Sequence, residues 1–579
     1  MAFGFAYDDY PVIVQNPALH GAGWRELLSA RWFDSLYRPA SMGSLAMDWA
    51  LGQGGPTLFH VENLVLHVLV TVGVFALAYP AFGAWGAFAA GLLFAVHPVH
   101  VEAVASIVGR AELLAALGLV ACALCYRADT SLAGQPFRWR RAFAWTGTLV
   151  AALLGMASKE TAFVLPALLL AVDWMDAKAA GASPVARVRS HAGLWLAVIG
   201  VWACWLAVWL AHVDLVAARP VSGGLATLSL PLRAVAMLGI VPQYARLLMI
   251  PVHLSADYSP RFLEASASLS AATVAGLATL GACGALAYAA RRRLPGVTAG
   301  LAWTAIALVP VCNVIAPSEI LLAERNMYIP SIGIALALGA IVAGLSVTRL
   351  KLALGALALL ATLGAVRSVI RIPVWRDNAS LLSSIVRDAP GSFRADWIAA
   401  QDAFDAGRRE DGQALLSRAL AASPREPGLL LYYATRLEQD SDWAGAGRAL
   451  AAAYRAKPLT TRYAAMAIDA LVHGGAWDTA AAVLREAWHD STSIPLRVAR
   501  ANLAIARGQL AEAVALRRGV AREVGGAWQY WLLTAEAAEA GRDCEALDEA
   551  LRFLEALNPA LPEFAALTTR RPMVHCTPR

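Results

Sequence analysis

Residues 58–79 read LFHVENLVLHVLVTVGVFALAY, and Glu62 is the one carboxylate among them. Wound as a helix, such a stretch covers a hydrocarbon core, which takes about 17–25 predominantly apolar residues. Nine more stretches qualify on either side of the same argument: 82–97, 110–126, 142–157, 160–175, 193–212, 270–290, 297–316, 328–346 and 351–370. The segment 233–251 is apolar too, but it carries Arg233, Pro242 and Arg246 and reads as interfacial or re-entrant. The whole chain has 579 residues, 58% of them hydrophobic and 16% charged. One soluble core cannot hide that much apolar surface, so a polytopic membrane class is expected. Beyond residue 370 the composition returns to that of a soluble helical protein.

The distribution of charge orients the spans. The formal charge of +6 matters less than its location. Basic loops lie at Arg127–Arg141, Lys178–Arg189, Arg291–Arg293 and Arg349–Lys351, and the positive-inside rule puts them on the cytoplasmic side. Ten spans then place residues 1–57, the loops around His97–Glu112, Ser158–Thr161, 213–269 and 318–328, and both chain ends, on the outer side. An outer N-terminus without a leading helix is unusual, so a further helix upstream of Met1 is expected, making eleven spans. Cys122 and Cys125 form a C-x-x-C inside an apolar helix, where small packing residues are expected rather than a redox or metal pair.

The C-terminal third is periodic. Pro390, Pro424, Pro458 and Pro495 are spaced by 34, 34 and 37 residues, and Gly475, Gly508 and Gly541 recur every 33. Amphipathic pairs such as RADWIAAQDAFDAGRREDGQALLSRALAASP (394–424) fill the intervals. A period near 34 with a turn at mid-repeat is that of tetratricopeptide helical hairpins. About five repeats over 388–559 stack into a solenoid whose groove suits a peptide or protein segment; a plain spacer is the alternative. The expected domains are 1–57, an outer loop region; 58–370, the membrane unit; 371–387, a linker; 388–559, the repeats; and 560–579, a tail. Cys544 and Cys576 could pair if the repeats face an oxidising compartment.

The outer loops hold the chemistry. Asp8 and Asp9 are adjacent carboxylates beside the membrane, able to accept a proton or bind a divalent cation, though a solvated loop or a cap would look the same. His60, Asn63 and His67 share one helix face, as ligands or as a hydrogen-bonded helix contact. His97, His100, Glu102, Arg110 and Glu112 follow, then Lys159 and Glu160, Arg246, Asp257 and Tyr258, and Glu324 and Arg325. Arg110, Lys159, Arg246 and Arg325 sit where short-loop cations are disfavoured, which suggests that each binds an anion such as a lipid-linked phosphate. The competing account is internal salt bridges, for example Arg325 with Glu324 or with a neighbouring loop.

Several of these segments occur together in one family. YDDYPVIVQNP (7–17), YRPAS (37–41), FHVENLVLH (59–67), LLFAVHPVHVEAVASIVGRAELLA (92–115), SKETAFVLP (158–166), LLMIPVHLSADY (247–258) and LAERNMYIPS (322–331) precede the repeats. In this the chain resembles the transmembrane and tetratricopeptide-repeat-containing O-mannosyltransferases, and more distantly the protein O-mannosyltransferases of GT-C architecture. The resemblance implies an all-α fold, a GT-C-like transmembrane bundle followed by an α-solenoid. It further implies an inverting transferase that moves a mannose-like hexose from a polyprenyl-phosphate carrier to Ser or Thr hydroxyls on the extracytoplasmic face. Asp8, with Asp9 assisting, would be the base. Arg325, then Arg110, then Lys159 and Arg246, would hold the donor phosphate.

The remaining polar residues take supporting roles in that reading. His97, His100, Glu102, Glu112, Glu160, Asp257, Tyr258 and Glu324 would orient sugar or cations, and Tyr37 and Arg38 would shape the loop over the carrier. No metal ligand set is expected, though a divalent cation at Asp8–Asp9 is conceivable. Partners would be the lipid-linked sugar, a protein acceptor and membrane lipid, and not nucleic acid. The Ala- and Arg-rich composition suggests a bacterial inner membrane, with catalytic loops and repeats in the periplasm. Transfer to a lipid or glycan, a non-enzymatic scaffold and a transporter are the alternatives; no symmetric pair of broken helices supports the last.

Overall fold

The structure, a computed structural model, describes residues 3–575 apart from 22, 30, 31, 33–35, 132–138, 180–182, 214–224, 226, 227, 319 and 459. Every element longer than an isolated bridge is helical among these residues. Met1–Leu415 and Leu416–Arg579 form two compact units.

In the first unit, six helices are long and apolar enough to cross a membrane: Pro56–Ala95, Ile107–Asp129, Ala192–His212, Ala271–Ala290, Glu324–Ala343 and Arg349–Trp375. Pro295–Val311 is a shorter apolar helix. The first of the six contains two of the expected spans. Gly83 breaks it with φ +64°, a conformation that costs glycine little. The chain reverses there, so that His67 Nε2 lies 3.1 Å from the Ala95 carbonyl. Two further expected spans, 142–157 and 160–175, are not among these helices. The Trp139–Ser158 helix begins with Arg140 and Arg141. The stretch 160–175 starts as a 3₁₀ turn, Glu160–Val164, before the short helix Leu165–Ala179. The re-entrant candidate is a pair of short helices, Leu230–Leu238 and Val241–Met249, each with Pro in its first turn.

Small residues let the central helices touch backbone to backbone, the usual solution where the lipid supplies no hydrophobic drive for helix pairing. A Cβ on Gly118 would stand 2.5 Å from Gly155 Cα, and one on Gly300 2.3 Å from the Gly333 carbonyl oxygen. Of the most apolar 18 residues of the Ile107–Asp129 helix 78% are accordingly buried, whereas in Ala192–His212, Ala271–Ala290 and Arg349–Trp375 the share is 11%, and these three form the apolar periphery. Cys122 is buried in the core and Cys125 packs against Gly147; both are free thiols.

Charge collects at the two ends of this bundle. At one end, basic-loop residues meet carboxylates: Arg127 pairs with Asp176, Arg187 with Asp173 and Asp176 at 3.0 Å each, and Arg141 with Asp129 at 2.8 Å. The segments singled out for chemistry gather at the other end.

The second unit is a run of antiparallel helix pairs: Pro427–Gln439 with Trp443–Ala456, Thr461–His473 with Trp477–Ala487, Ile494–Ala506 with Leu510–Val524, and Trp528–Gly541 with Cys544–Leu557. The mid-hairpin turns place Ser441, Gly475, Gly508 and Arg542 at positive φ. The fourth turn uses Arg542 where the glycine period pointed to Gly541. Alanines fill the shared core. A cavity of about 420 Å³ opens among Leu484, Arg485, Trp488, Arg500, Arg507 and Glu512. Cys544 is disulfide-bonded; Cys576, weighed above as its partner, lies outside the described residues.

Candidate active site

Asp8 and Asp9 are neighbours with different environments. Asp9 is 1% exposed. Its carboxylate accepts hydrogen bonds from Ala6 N at 2.9 Å and Val108 N at 3.1 Å. The turn it closes holds Tyr7 at φ +50°. Burial, the largest influence, pushes the Asp9 carboxyl up to about 7; the two N–H bonds oppose the rise and the Asp8 charge adds to it. Asp9 therefore fastens the N-terminal turn to the 98–109 segment. Asp8, half-buried on that turn, points its Oδ2 at Arg325 Nη2, 3.6 Å away. That is a charge contact but too long for a hydrogen bond.

Arg325 is fixed from behind. Glu102 accepts its Nη1 at 2.6 Å and its backbone N at 2.9 Å. Of the partners weighed for it, Glu324 or a neighbouring loop, the structure takes the loop; Glu324 is buried, accepting from Ser255 N at 2.6 Å and the Tyr258 hydroxyl at 2.8 Å. Behind Glu102 lies a second ion pair, Lys159 with Glu112, which also accepts from Thr161 Oγ1 at 3.4 Å. Burial pulls the Lys159 ammonium down; Glu112 opposes this, and the charges of Arg38 and Arg325 add to it.

The loop bearing Glu102 is tightly determined. A Cβ on Gly109 would meet the Ala103 carbonyl oxygen at 2.3 Å, so this bend requires glycine. Asn63 Nδ2 donates to the carbonyls of Val104, Ser106 and Ile107 at 3.1–3.3 Å. His60 Nε2 lies 3.2 Å from the Gly4 carbonyl and His67 Nδ1 2.8 Å from the Tyr328 hydroxyl. The polar face of residues 60–67 is thus a set of fasteners. Among the described residues no three His, Cys, Asp or Glu side chains converge as metal ligands.

Several sequence candidates have other employment. Arg110 is fully buried. It makes ion pairs with Asp48 at 2.6 Å and Glu62 at 3.0 Å. It also donates to Asn63 Oδ1, Ser44 Oγ and the Phe59 carbonyl at 2.9–3.0 Å. All its N–H groups are directed inward, so the phosphate role expected of it is withdrawn. Lys159 pairs with Glu112, which takes one of its three N–H groups. Arg246 donates to Gln243 at 2.8 Å and the His253 carbonyl at 2.7 Å, which holds the 241–253 bend.

The imidazoles and the 37–41 loop are also structural. His97 lies 3.1 Å from the Leu248 carbonyl and His100 2.7 Å from Ser331 Oγ. Burial lowers both, His97 to about 4, so they are neutral packing groups. Arg38 grips Glu160 bidentately at 2.5 and 2.9 Å. Tyr37 stacks on His212 at 4.3 Å. Asp257 accepts from Ser259 at 2.6 Å and Arg394 at 3.1 Å. Asp48 and Glu62 were missed. Their signal was a carboxylate inside an otherwise apolar helix, which needs a buried partner.

These features define an all-helical polytopic membrane protein with an acid and an arginine facing each other at one end of its bundle and a helical-hairpin array at its C-terminus. The chain is homologous to the TMTC protein O-mannosyl-transferases. It is 26% identical to mouse (Mus musculus) protein O-mannosyl-transferase TMTC3 over 367 residues, covering 57% of this chain and 39% of that protein. Drosophila melanogaster Tmtc2 is 34% identical over 173 residues, covering 28% and 18%. Mouse TMTC1 is 38% identical over 148 residues, covering 23% and 16%. The matched stretches thus span well under half of those relatives. No family model matches the chain. One solved structure, described as a functional characterization of Pseudomonas aeruginosa pilF, aligns over 33% of this chain and 86% of that one, at 16% identity and a TM-score of 0.25.

Proposed function

We propose that this protein is an inverting glycosyltransferase. It moves a mannose-like hexose from a polyprenyl-phosphate carrier to a Ser or Thr hydroxyl of a protein on the extracytoplasmic face. The observation that carries the reading is the convergence of Asp8 and Arg325, with Glu102 locking the guanidinium from behind. Asp8 takes the proton of the acceptor hydroxyl as that oxygen attacks the anomeric carbon. The bond from that carbon to the phosphate oxygen breaks on the opposite face, and the phosphate leaves with the electron pair. Arg325 turns its Nη2, which meets Asp8 across 3.6 Å but forms no hydrogen bond with it, to the developing charge, where low dielectric strengthens the interaction. Asp9 and Glu102 are positioning residues. Homology to protein O-mannosyl-transferases supports the sugar and acceptor classes.

The outer placement is supported by the basic loops at the opposite end of the bundle and by the disulfide at Cys544, which favours an oxidising compartment. The cavity beside Trp488 suits an extended acceptor segment. The test is transfer of labelled hexose from polyprenyl phosphate to periplasmic protein in membranes holding the chain. Asp8→Asn should lower transfer by about 10²–10⁴-fold with the protein still folded. Unchanged turnover would remove Asp8 as base, and label entering only lipid would redirect the reaction to a glycolipid.

A further inference from the structure

A second concentration of positive charge lies outside the transfer site. The Val347–Arg371 helix ends in a short 3₁₀ turn, Ile372–Trp375, and the chain then enters the helix Asn378–Asp388. Between these elements is a cavity of about 760 Å³. Arg367, Arg371, Arg376 and Arg387 line it, and Asp388 is the one carboxylate that does. Two further carboxylates adjoin it, Asp377 paired with Arg376 and the buried Glu324 near Arg371 and Arg367, so four guanidiniums meet three carboxylates and the excess of positive charge favours an anion.

The hydrogen bonds of these arginines leave capacity unused. Arg371 is 2% exposed. Its Nη1 pairs with Asp388 Oδ2 at 2.8 Å, but its Nε and Nη2 are buried with no hydrogen-bond partner among the described residues. These two atoms are closed off from the cavity, where the charge of Arg371 acts together with the exposed guanidiniums of Arg376 and Arg387, whose planar edges match the oxygens of a phosphate. Arg367 Nε donates to the Val252 carbonyl at 2.9 Å. Arg376 pairs with Asp377 at 2.8 Å and donates to Ser380 Oγ at 3.0 Å. Arg387 pairs with Asp388 at 2.8 Å.

The position suits a lipid. Ile370 lines the cavity and is 64% exposed, and Val366 and Val369 are exposed beside it on the apolar outer face of the helix. Arginines at the end of a spanning helix stand at headgroup depth, with acyl-chain surface on the helix next to them.

We propose that this cavity binds a phosphate group, held by Arg376 and Arg387 at its exposed rim and drawn in by the charge of the buried Arg371. The inference does not depend on the transfer reading. The test uses the full chain in micelles of a neutral detergent, titrated separately with short-chain phosphatidic acid and with inorganic phosphate while thermal unfolding is followed. Saturable stabilisation is expected. Arg376→Gln combined with Arg387→Gln, both at exposed positions, should weaken binding about tenfold or more. Replacing Arg291, Arg292 and Arg293 by Gln, a basic run elsewhere, should leave binding unchanged. Stronger binding of phosphatidic acid assigns the site to a lipid headgroup, and equal binding of inorganic phosphate assigns it to the free ion. No saturable binding of either probe, or equal weakening by the two sets of substitutions, would overturn the proposal.

Discussion

The surroundings of Arg110 and of Arg325 are made from the same materials and do opposite things. Both arginines lie at the same end of the bundle and both meet two carboxylates. Around Arg110 the carboxylates, Asp48 and Glu62, come from helices packed against it, a backbone carbonyl and two polar side chains take the other N–H groups, and no surface is left. Around Arg325, Glu102 takes the backbone N–H and Nη1, while Nη2 faces Asp8 across 3.6 Å. A fully spent guanidinium is a rivet. A half-spent one, held rigid by its first partner, is a preorganised site for an anion. A loop cation is thus consumed where the apolar helices beside it carry carboxylates, as Asp48 and Glu62 do for Arg110.

Substitutions should separate the two. Arg110→Ala leaves Asp48 and Glu62 facing each other in the core, and breaking a buried pair in this way costs about 3–5 kcal/mol. The folded protein should fail to accumulate in membranes, as read by detergent extraction and size-exclusion profile. A monodisperse, fully active Arg110→Ala protein would refute the rivet. Arg325→Ala should behave differently: normal extraction and a smaller fall in thermal midpoint, since Glu102 loses the guanidinium but keeps the backbone N–H of residue 325, with hexose transfer reduced about 10²–10³-fold. If its thermal midpoint fell as far as that of Arg110→Ala, Arg325 would be a rivet too, and the distinction would collapse.

Much of the fold was legible because hydropathy and period are local properties. The apolar run at 58–79, the helix reversal before 82–97 and the 34-residue hairpin period each follow from neighbours in the chain. The ends of spans were less so: Glu160–Val164 is a 3₁₀ turn because Lys159 and Glu160 are drawn to Glu112 and Arg38, partners far away in sequence. Candidate site residues were legible as types and not as pairs. Nothing local distinguishes Arg110 from Arg325, or Asp8 from Asp9; what separates them is which distant group reaches each one. The Arg371 cavity was missed for the same reason, since its arginines are spread over the end of one helix and the start of the next.

The smallest expected effect concerns the acidic pair, where the rivet and the site stand side by side. Asp9 in the folded chain titrates near 7, above the ordinary carboxylate range, because burial opposes its charge. A group raised in this way contributes most to stability while protonated, and that contribution is lost as pH rises through about 7, with a slope of at most about 1.4 kcal/mol per pH unit. Asp9→Asn cannot titrate. Its amide offers one acceptor where Ala6 N and Val108 N need two, so at pH 5 it should be less stable than the parent by about 1–2 kcal/mol. Between pH 5 and pH 8 the parent loses its advantage and the variant does not change at this position, so the difference between their thermal midpoints should shrink. A difference that stays constant or grows would mean that Asp9 is ionised throughout. The carboxylate would then be a charged neighbour of Asp8, and the contrast between fastener and base would have to be drawn elsewhere.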